Sequence, residues 1–198
     1  MFVQVIQGRT GNPEGFRDMQ DRWDKDLRPA ATGWQGLTAG VAPDGTVLLV
    51  VRFESEQAAQ ANSARPEQGE FFAEASKNFE GEPSFINSTD TQVVGNPSDD
   101  AGFVQAMIYK VKDRRALEAL EERVMPQLMA DRPDLLGALR VWDGDTVIDV
   151  NYFTSEAEAR AGEKKMDAEL ADLFQEFMAQ ADGAPTFIDL PDPILRSA

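Results

Sequence analysis

The stretch TVLLVVRFESEQAAQA at residues 46–61 returns as TVIDVNYFTSEAEARA at residues 146–161. The FVQ of residues 2–4 returns at 103–105, and a G-x-P-x-F-I pattern at 81–86 returns at 183–188. Solenoid repeats have periods of about 20–50 residues, so a repeat this long indicates a duplicated domain. The sequence predicts repeat 1 at residues 1–95, a polar linker at 96–100 and repeat 2 at 101–198.

Each copy has the pattern strand, helix, two strands, helix, strand. In the first copy, Asn12-Pro13 supplies a helix N-cap and a first-turn proline. Pro43-Asp44-Gly45 joins two apolar runs as a hairpin turn, and Ser55 stands where the second helix begins. Arg65-Pro66 is expected to break that second helical region. The order βαββαβ predicts a ferredoxin-like plait, a four-stranded antiparallel sheet with both helices on one face.

A single plait would leave the other face of its sheet exposed, and a second copy can cover it. We therefore predict an α+β fold in which two tandem ferredoxin-like repeats pack sheet to sheet as an intrachain, pseudo-dimeric α/β barrel, monomeric in solution. Strand alternation separates two faces of each first strand. We expect Val3 and Val5 to meet the helices and Gln4 to lie on the opposite face.

Composition excludes several classes of function. The net charge of −16 argues against nucleic acids and anionic membrane surfaces as partners. The N-terminus does not have the pattern of a signal peptide, no long apolar run is present, and a cytoplasmic location follows as an expectation. Without histidine or cysteine there is no Ser-His-Asp triad, thiolate nucleophile or His-ligated metal. We expect no metal and no cofactor.

Several short segments of the first copy carry a resemblance to a known family: residues 53–58 (FESEQA), Arg65-Pro66, Phe71-Phe72 and Gly81-Glu82-Pro83. They resemble the antibiotic-biosynthesis-monooxygenase-like branch of the dimeric α/β-barrel superfamily, and residues 153–159 and 183–185 repeat the pattern. The resemblance implies a small-molecule cavity between sheet and helices. It also implies cofactor-independent oxygenation of an aromatic or polyketide-like substrate. Asn62 and Gly162 stand where many relatives have histidine, which excludes His-ligated haem degradation.

The third strands of the two copies differ. Leu49 and Val51 of the first copy are replaced by Asp149 and Asn151 in the second. If this face lines a cavity, Asp149 in apolar surroundings has a raised pKa and acts as a base, with Asn151 beside it. The alternative is that both face solvent on a shifted strand. The difference predicts that any site lies in repeat 2.

Further candidate ligand contacts complete the set. Gln4 and Gln105 occupy equivalent positions on a largely apolar strand face, where an amide needs hydrogen-bond partners. Alternatively, the two glutamines bond to each other or to a buried water. Tyr109 adds a hydroxyl in repeat 2, and the resemblance adds Asn62 and Trp34. The predicted function is a monooxygenase-like small-molecule enzyme; the alternative is a non-catalytic ligand-binding or structural barrel.

Overall fold

The computed structural model describes residues 1–95, 97, 99–169 and 171–198, so Asn96 and Ser98 of the predicted linker lie outside the described residues. The chain forms two compact units. Unit 1 comprises Met1–Thr91 and Asp192–Ala198, and unit 2 comprises Gln92–Pro191. Each unit carries helices and a five-stranded antiparallel sheet. The predicted α+β fold class and the tandem ferredoxin-like repeats are confirmed.

The helices and strands follow the predicted order, but each sheet has a fifth strand where the plait pattern predicts four. The first repeat contains β1 (Phe2–Arg9), α1 (Pro13–Asp26), β2 (Trp34–Val41), β3 (Thr46–Phe53), α2 (Glu56–Ser63), α3 (Pro66–Ala75) and β4 (Ser84–Ser88). The chain continues through β5 (Thr91–Gly95), β6 (Phe103–Lys110), α4 (Arg114–Asp131), β7 (Leu135–Asp143), β8 (Thr146–Phe153), α5 (Glu156–Glu169), α6 (Ala171–Gln180), β9 (Thr186–Leu190) and β10 (Ile194–Ser197).

Local sequence signals set the helix boundaries. The Asn12 side chain accepts a hydrogen bond from the Gly15 backbone N–H at 3.0 Å and caps α1. The Ser55 hydroxyl accepts from the Ala58 N–H at 3.1 Å and caps α2. Arg65 has extended backbone angles, because the following Pro66 disfavours helical ones, and the second helical region is divided there into α2 and α3. These predicted caps and the predicted break are confirmed.

The two sheets have the same internal register. Their strand orders are β10-β2-β3-β1-β4 in unit 1 and β5-β7-β8-β6-β9 in unit 2. Phe2 of β1 lies opposite Phe53 of β3, and Phe103 of β6 lies opposite Phe153 of β8. Equivalent positions in the two repeats can therefore be compared side chain by side chain.

The edge strands do not follow the repeat boundaries. β5 ends the range predicted for repeat 1, yet its sheet is that of unit 2, beside β7. β10 ends the range predicted for repeat 2, yet it pairs with β2 of unit 1, with Ile194 opposite Ala39. Ile194 is 4% exposed and belongs to the core of unit 1. The compact units thus differ from the predicted ranges 1–95 and 101–198 by an exchange of one edge strand each.

The helix-facing side of the sheet is the one that we did not expect. The core between sheet and helices of unit 1 includes Phe2 and Ile6 of β1, packed with Phe16 of α1. Val3 and Val5 therefore project from the opposite face, so the expectation that they meet the helices was wrong. Both faces of β1 are apolar and buried, so alternation alone could not tell which face receives the helices.

Candidate functional site

A β-bulge positions Trp34 at the end of β2. Trp34 lies opposite Phe53 and Gly36 lies opposite Arg52, so Gln35 is an extra residue in the strand. In a regular strand, Trp34 and Leu37 would lie on opposite faces, because they are three residues apart. The bulge brings both into the helix-side core of unit 1.

Unit 1 contains a cavity of about 320 Å³ between its sheet and its helices. This volume lies at the lower end of the roughly 300–1,000 Å³ range of small-molecule sites. Aromatic rings form much of the wall, among them Phe16, Trp23, Trp34, Phe71 and Phe79. Among the described residues that line it there is no Asp, Glu, Lys or Arg. The cavity suits a small, uncharged, largely aromatic molecule.

Three polar side chains of the cavity wall already have protein partners. The Trp23 indole N–H donates to Gln68 Oε1 at 2.8 Å, which ties α1 to α3. Gln4 Nε2 donates to Asn87 Oδ1 of the neighbouring strand at 2.9 Å. Gln4, Trp23 and Gln68 are thus held in fixed orientations before any ligand binds.

Two donors in the same wall have no acceptor among the described residues. Trp34 is 7% exposed, and its indole N–H makes no hydrogen bond there. Asn62 is also 7% exposed, and its Oδ1 accepts from Arg65 Nη1 at 2.9 Å. That bond leaves the Asn62 amide N–H groups as the unpaired half of the side chain. A buried unpaired donor costs about 1–3 kcal/mol, so the Trp34 indole N–H favours a ligand that carries an acceptor.

The equivalent interior of unit 2 holds a charged network. Arg140 of β7 donates to both oxygens of Asp149 at 2.7 and 2.8 Å. It also donates to both oxygens of Glu121 on α4 at 2.5 and 2.6 Å. The Tyr109 hydroxyl donates to Asp149 Oδ2 at 2.9 Å. Asp149 is 6% exposed, so the alternative that it faces solvent is wrong.

Burial and charge set the titration of this network. Burial, and then the negative charge of Asp149, raise the pKa of the Tyr109 phenol well above its ordinary value. Burial lowers the pKa of Arg140, but the hydrogen bonds and charges of Asp149 and Glu121 outweigh it and raise that pKa. The guanidinium therefore stays charged, and the Asp149 carboxylate is not the unpaired group that the sequence suggested.

The remaining predicted residues of unit 2 are also satisfied internally. Gln105 Nε2 donates to Asp189 Oδ1 at 2.9 Å, so Gln105 and Gln4 each bond within their own sheet and not to each other. Asn151 Nδ2 makes two long contacts of 3.4 Å to the carbonyl oxygens of Gln105 and Asp149. At Gly162, the counterpart of Asn62, a Cβ atom would overlap with the Arg132 guanidinium.

The predicted residues therefore separate into two groups. Gln4, Trp34 and Asn62 line the cavity of unit 1, and Gln105, Tyr109, Asp149 and Asn151 lie in unit 2. The sequence reasoning missed Arg140 and Glu121. A signal existed, since the Ala39–Leu49 cross-strand pair of repeat 1 corresponds to Arg140–Asp149 in repeat 2, an opposite-charge pair.

The fold is shared with solved structures of known type. A putative monooxygenase from Fusobacterium nucleatum matches 99% of this chain and 94% of its own, with a TM-score of 0.79 and 12% identity. A putative monooxygenase from Lactobacillus acidophilus matches 99% of both chains, with a TM-score of 0.69 and 13% identity. An anthrone oxidase-like protein matches 99% of this chain and 92% of its own, at 0.68 and 15%.

These neighbours confirm the resemblance at the level of fold: over its whole length the chain shares the ferredoxin-like architecture of solved structures described as putative monooxygenases. No protein-family model and no curated protein sequence matches it. No helix in the described ranges is long and apolar enough to cross a membrane. Within the same ranges, no three acidic side chains are grouped to hold a metal ion.

Proposed function

We propose that unit 1 is the working half of a monooxygenase-like enzyme that oxidises a small, neutral aromatic molecule. The observation that carries the proposal is the charge-free aromatic cavity, which contains the buried, unpaired indole N–H of Trp34 and the side chain of Asn62, whose oxygen is already bonded to Arg65. Small-molecule sites are typically apolar with a few polar groups that fix orientation, and this cavity fits that description. The neighbour described as anthrone oxidase-like supports an anthrone-type substrate, an aromatic ketone with an acidic CH₂ group.

The reaction of such a substrate needs no cofactor to balance. The CH₂ group loses a proton to water, and the resulting enolate passes electrons to O₂ and bonds to it; the peroxide anion formed takes a proton back from water to give the hydroperoxide. Loss of water from the hydroperoxide then leaves a ketone, so that R₂CH₂ and O₂ give R₂C=O and H₂O. The difficult species is the enolate, because its negative oxygen lies in an apolar cavity.

The side chains of unit 1 are suited to stabilise that oxygen. Fixed N–H donors directed at developing negative charge are worth more in a water-poor site than in solution. Trp34 and Asn62 are such donors, and both are fixed in the core of unit 1. Arg65 bonds to Asn62 Oδ1, which polarises the amide and strengthens its N–H groups as donors.

The test compares two asparagines, one in each repeat. Purified protein is supplied with anthrone at neutral pH, and O₂ uptake is followed against a protein-free blank. Loss of one oxyanion donor typically costs about 10²–10³ in kcat, so we expect Asn62→Ala to lower turnover by at least tenfold. Asn151→Ala should change it less than twofold. The reverse result, loss with Asn151→Ala alone, would return the site to repeat 2 as the sequence suggested.

A second function is favoured by the absence of any titratable group from the described cavity wall. Without a base in contact with the ligand, unit 1 would serve only to bind an aromatic molecule. Tight binding of anthraquinone, together with O₂ uptake equal to the blank for every activated substrate offered, would establish this binding function and contradict the enzyme.

A further inference from the structure

We infer that Trp34 selects the ligand, and that the ligand is an uncharged aromatic molecule with an acceptor oxygen directed at the Trp34 indole N–H. The inference rests on the proposed function in requiring that the unit 1 cavity binds a ligand. It does not depend on whether that ligand is oxidised.

The two tryptophans of the cavity wall differ in whether the indole N–H has a hydrogen-bond acceptor. Trp23 and Trp34 both line the cavity, and their ring centroids lie 5.7 Å apart. The N–H of Trp23 is bonded to Gln68, whereas the N–H of Trp34 has no acceptor among the described residues. An indole N–H is a donor only, so a partner for Trp34 must be an acceptor.

Asn62 also presents a hydrogen-bond donor to the cavity. Asn62 uses its oxygen to accept from Arg65, so the half of the side chain that remains unpaired is again a donor. The Trp34 N–H and the Asn62 N–H groups are therefore both donors that would bind an acceptor on the ligand. Neither can accept a hydrogen bond from a ligand hydroxyl. The absence of charged side chains from the described wall disfavours a carboxylate or an amine, because neither would meet a counter-charge there.

The Trp34 ring is held in place by its neighbours. The bulge at Gln35 places its indole in the core beside Phe53 and under the guanidinium of Arg28, whose Cζ lies 5.6 Å from the ring centroid. The ring is thus fixed from several sides, and its N–H has a defined direction. A donor fixed in this way discriminates between ligands that differ only in one acceptor.

The experiment uses two probes that differ in that acceptor. 9-Fluorenone carries a ketone oxygen, and fluorene has the same ring system with a CH₂ group in its place. Affinities of both are measured by calorimetry for the wild-type protein, Trp34→Phe and Trp23→Phe. Dividing the fluorenone affinity by the fluorene affinity, and comparing that ratio between proteins, cancels the difference in hydrophobicity of the probes.

We expect the ratio to fall about five- to tenfold in Trp34→Phe, as loss of one hydrogen bond implies. Trp23→Phe is the matched control, because its N–H is already bonded to Gln68, and its ratio should stay within about twofold of wild type. An unchanged ratio in Trp34→Phe, with both probes bound, would overturn the inference and leave the proposed cavity standing. Failure of both probes to bind the wild type would overturn both.

A second measurement keeps the test valid if Trp34→Phe does not fold. In the ¹⁵N-labelled wild-type protein, the three tryptophans give three indole N–H resonances. Trp23→Phe and Trp142→Phe each remove one of these signals, and the resonance that persists in both variants belongs to Trp34. The Trp34 resonance should move downfield with fluorenone and less with fluorene. Equal movement with both probes would contradict the inference.

Discussion

Replacing Arg140 should reveal how much unit 2 depends on its buried ion network. The Arg140 side chain is 9% exposed and makes four hydrogen bonds of 2.5–2.8 Å to Asp149 and Glu121. In Arg140→Met, the buried Asp149 carboxylate keeps Tyr109 as its one side-chain donor among the described residues. Removing one partner of a buried ion pair typically costs about 3–5 kcal/mol, a large fraction of the roughly 5–15 kcal/mol that stabilises a domain.

The same argument predicts that removing the charges together costs far less. In the triple variant Glu121→Gln, Arg140→Met and Asp149→Leu, no buried charge is left without a partner. Replacing a buried ion network by apolar groups is often neutral or stabilising. We expect the triple variant to be at least 2 kcal/mol more stable than Arg140→Met. Asp149→Leu alone should cost about 1–3 kcal/mol, because Arg140 retains Glu121.

Urea unfolding followed by tryptophan fluorescence measures these differences. In a Trp23→Phe, Trp34→Phe background, Trp142 is the remaining tryptophan, and it is buried in unit 2 close to Arg140. The signal then reports the unit that was changed. A loss below 1 kcal/mol in Arg140→Met, or a triple variant as unstable as the sum of its single changes, would refute the reasoning.

Two further predictions concern Tyr109 and the stoichiometry of binding. The pKa of Tyr109 is raised in the folded protein, so its contribution to stability is complete below the unfolded value of about 10 and is lost as pH rises above it. The unfolding free energy should therefore fall more steeply between pH 9 and 11 in wild type than in Tyr109→Phe. Parallel curves for the two proteins would contradict this. Calorimetry with fluorenone should give one site per 198-residue chain. Glu121 and Asp149 of repeat 2 stand at positions that line the cavity in repeat 1, and Arg132 fills the space beside the counterpart of Asn62. Two equal sites would contradict this prediction.

Much of the fold could be read from the sequence because its signals are local or repeated. The caps at Asn12 and Ser55 depend on a side chain and the backbone a few residues away, and the break at Pro66 depends on one ring. Comparing the two copies then confirmed the order of elements. The choice of helix-facing side failed at Val3 and Val5 because it depends on what covers each face, which alternation does not record.

The candidate site was predictable only in part. Asn62 and Trp34 were named through the resemblance, and the cavity contains both. The sequence comparison singled out Asp149, but the environment of that residue depends on Arg140, nine residues away on the paired strand. From the sequence alone, a single arginine on a strand is normally predicted to face solvent. Only the register, which places Arg140 opposite Asp149, shows that the two residues changed together.

The exchange of edge strands has a consequence for the order in which the protein is made. Residues 1–91 leave the ribosome before unit 2, but β2 obtains its outer partner only when residues 194–197 have been synthesised, after the whole of unit 2. Until then, β2 presents an unpaired edge, the kind of surface on which strands of other chains assemble. Synthesis of the unit that contains the cavity therefore begins before that of unit 2 and is completed after it.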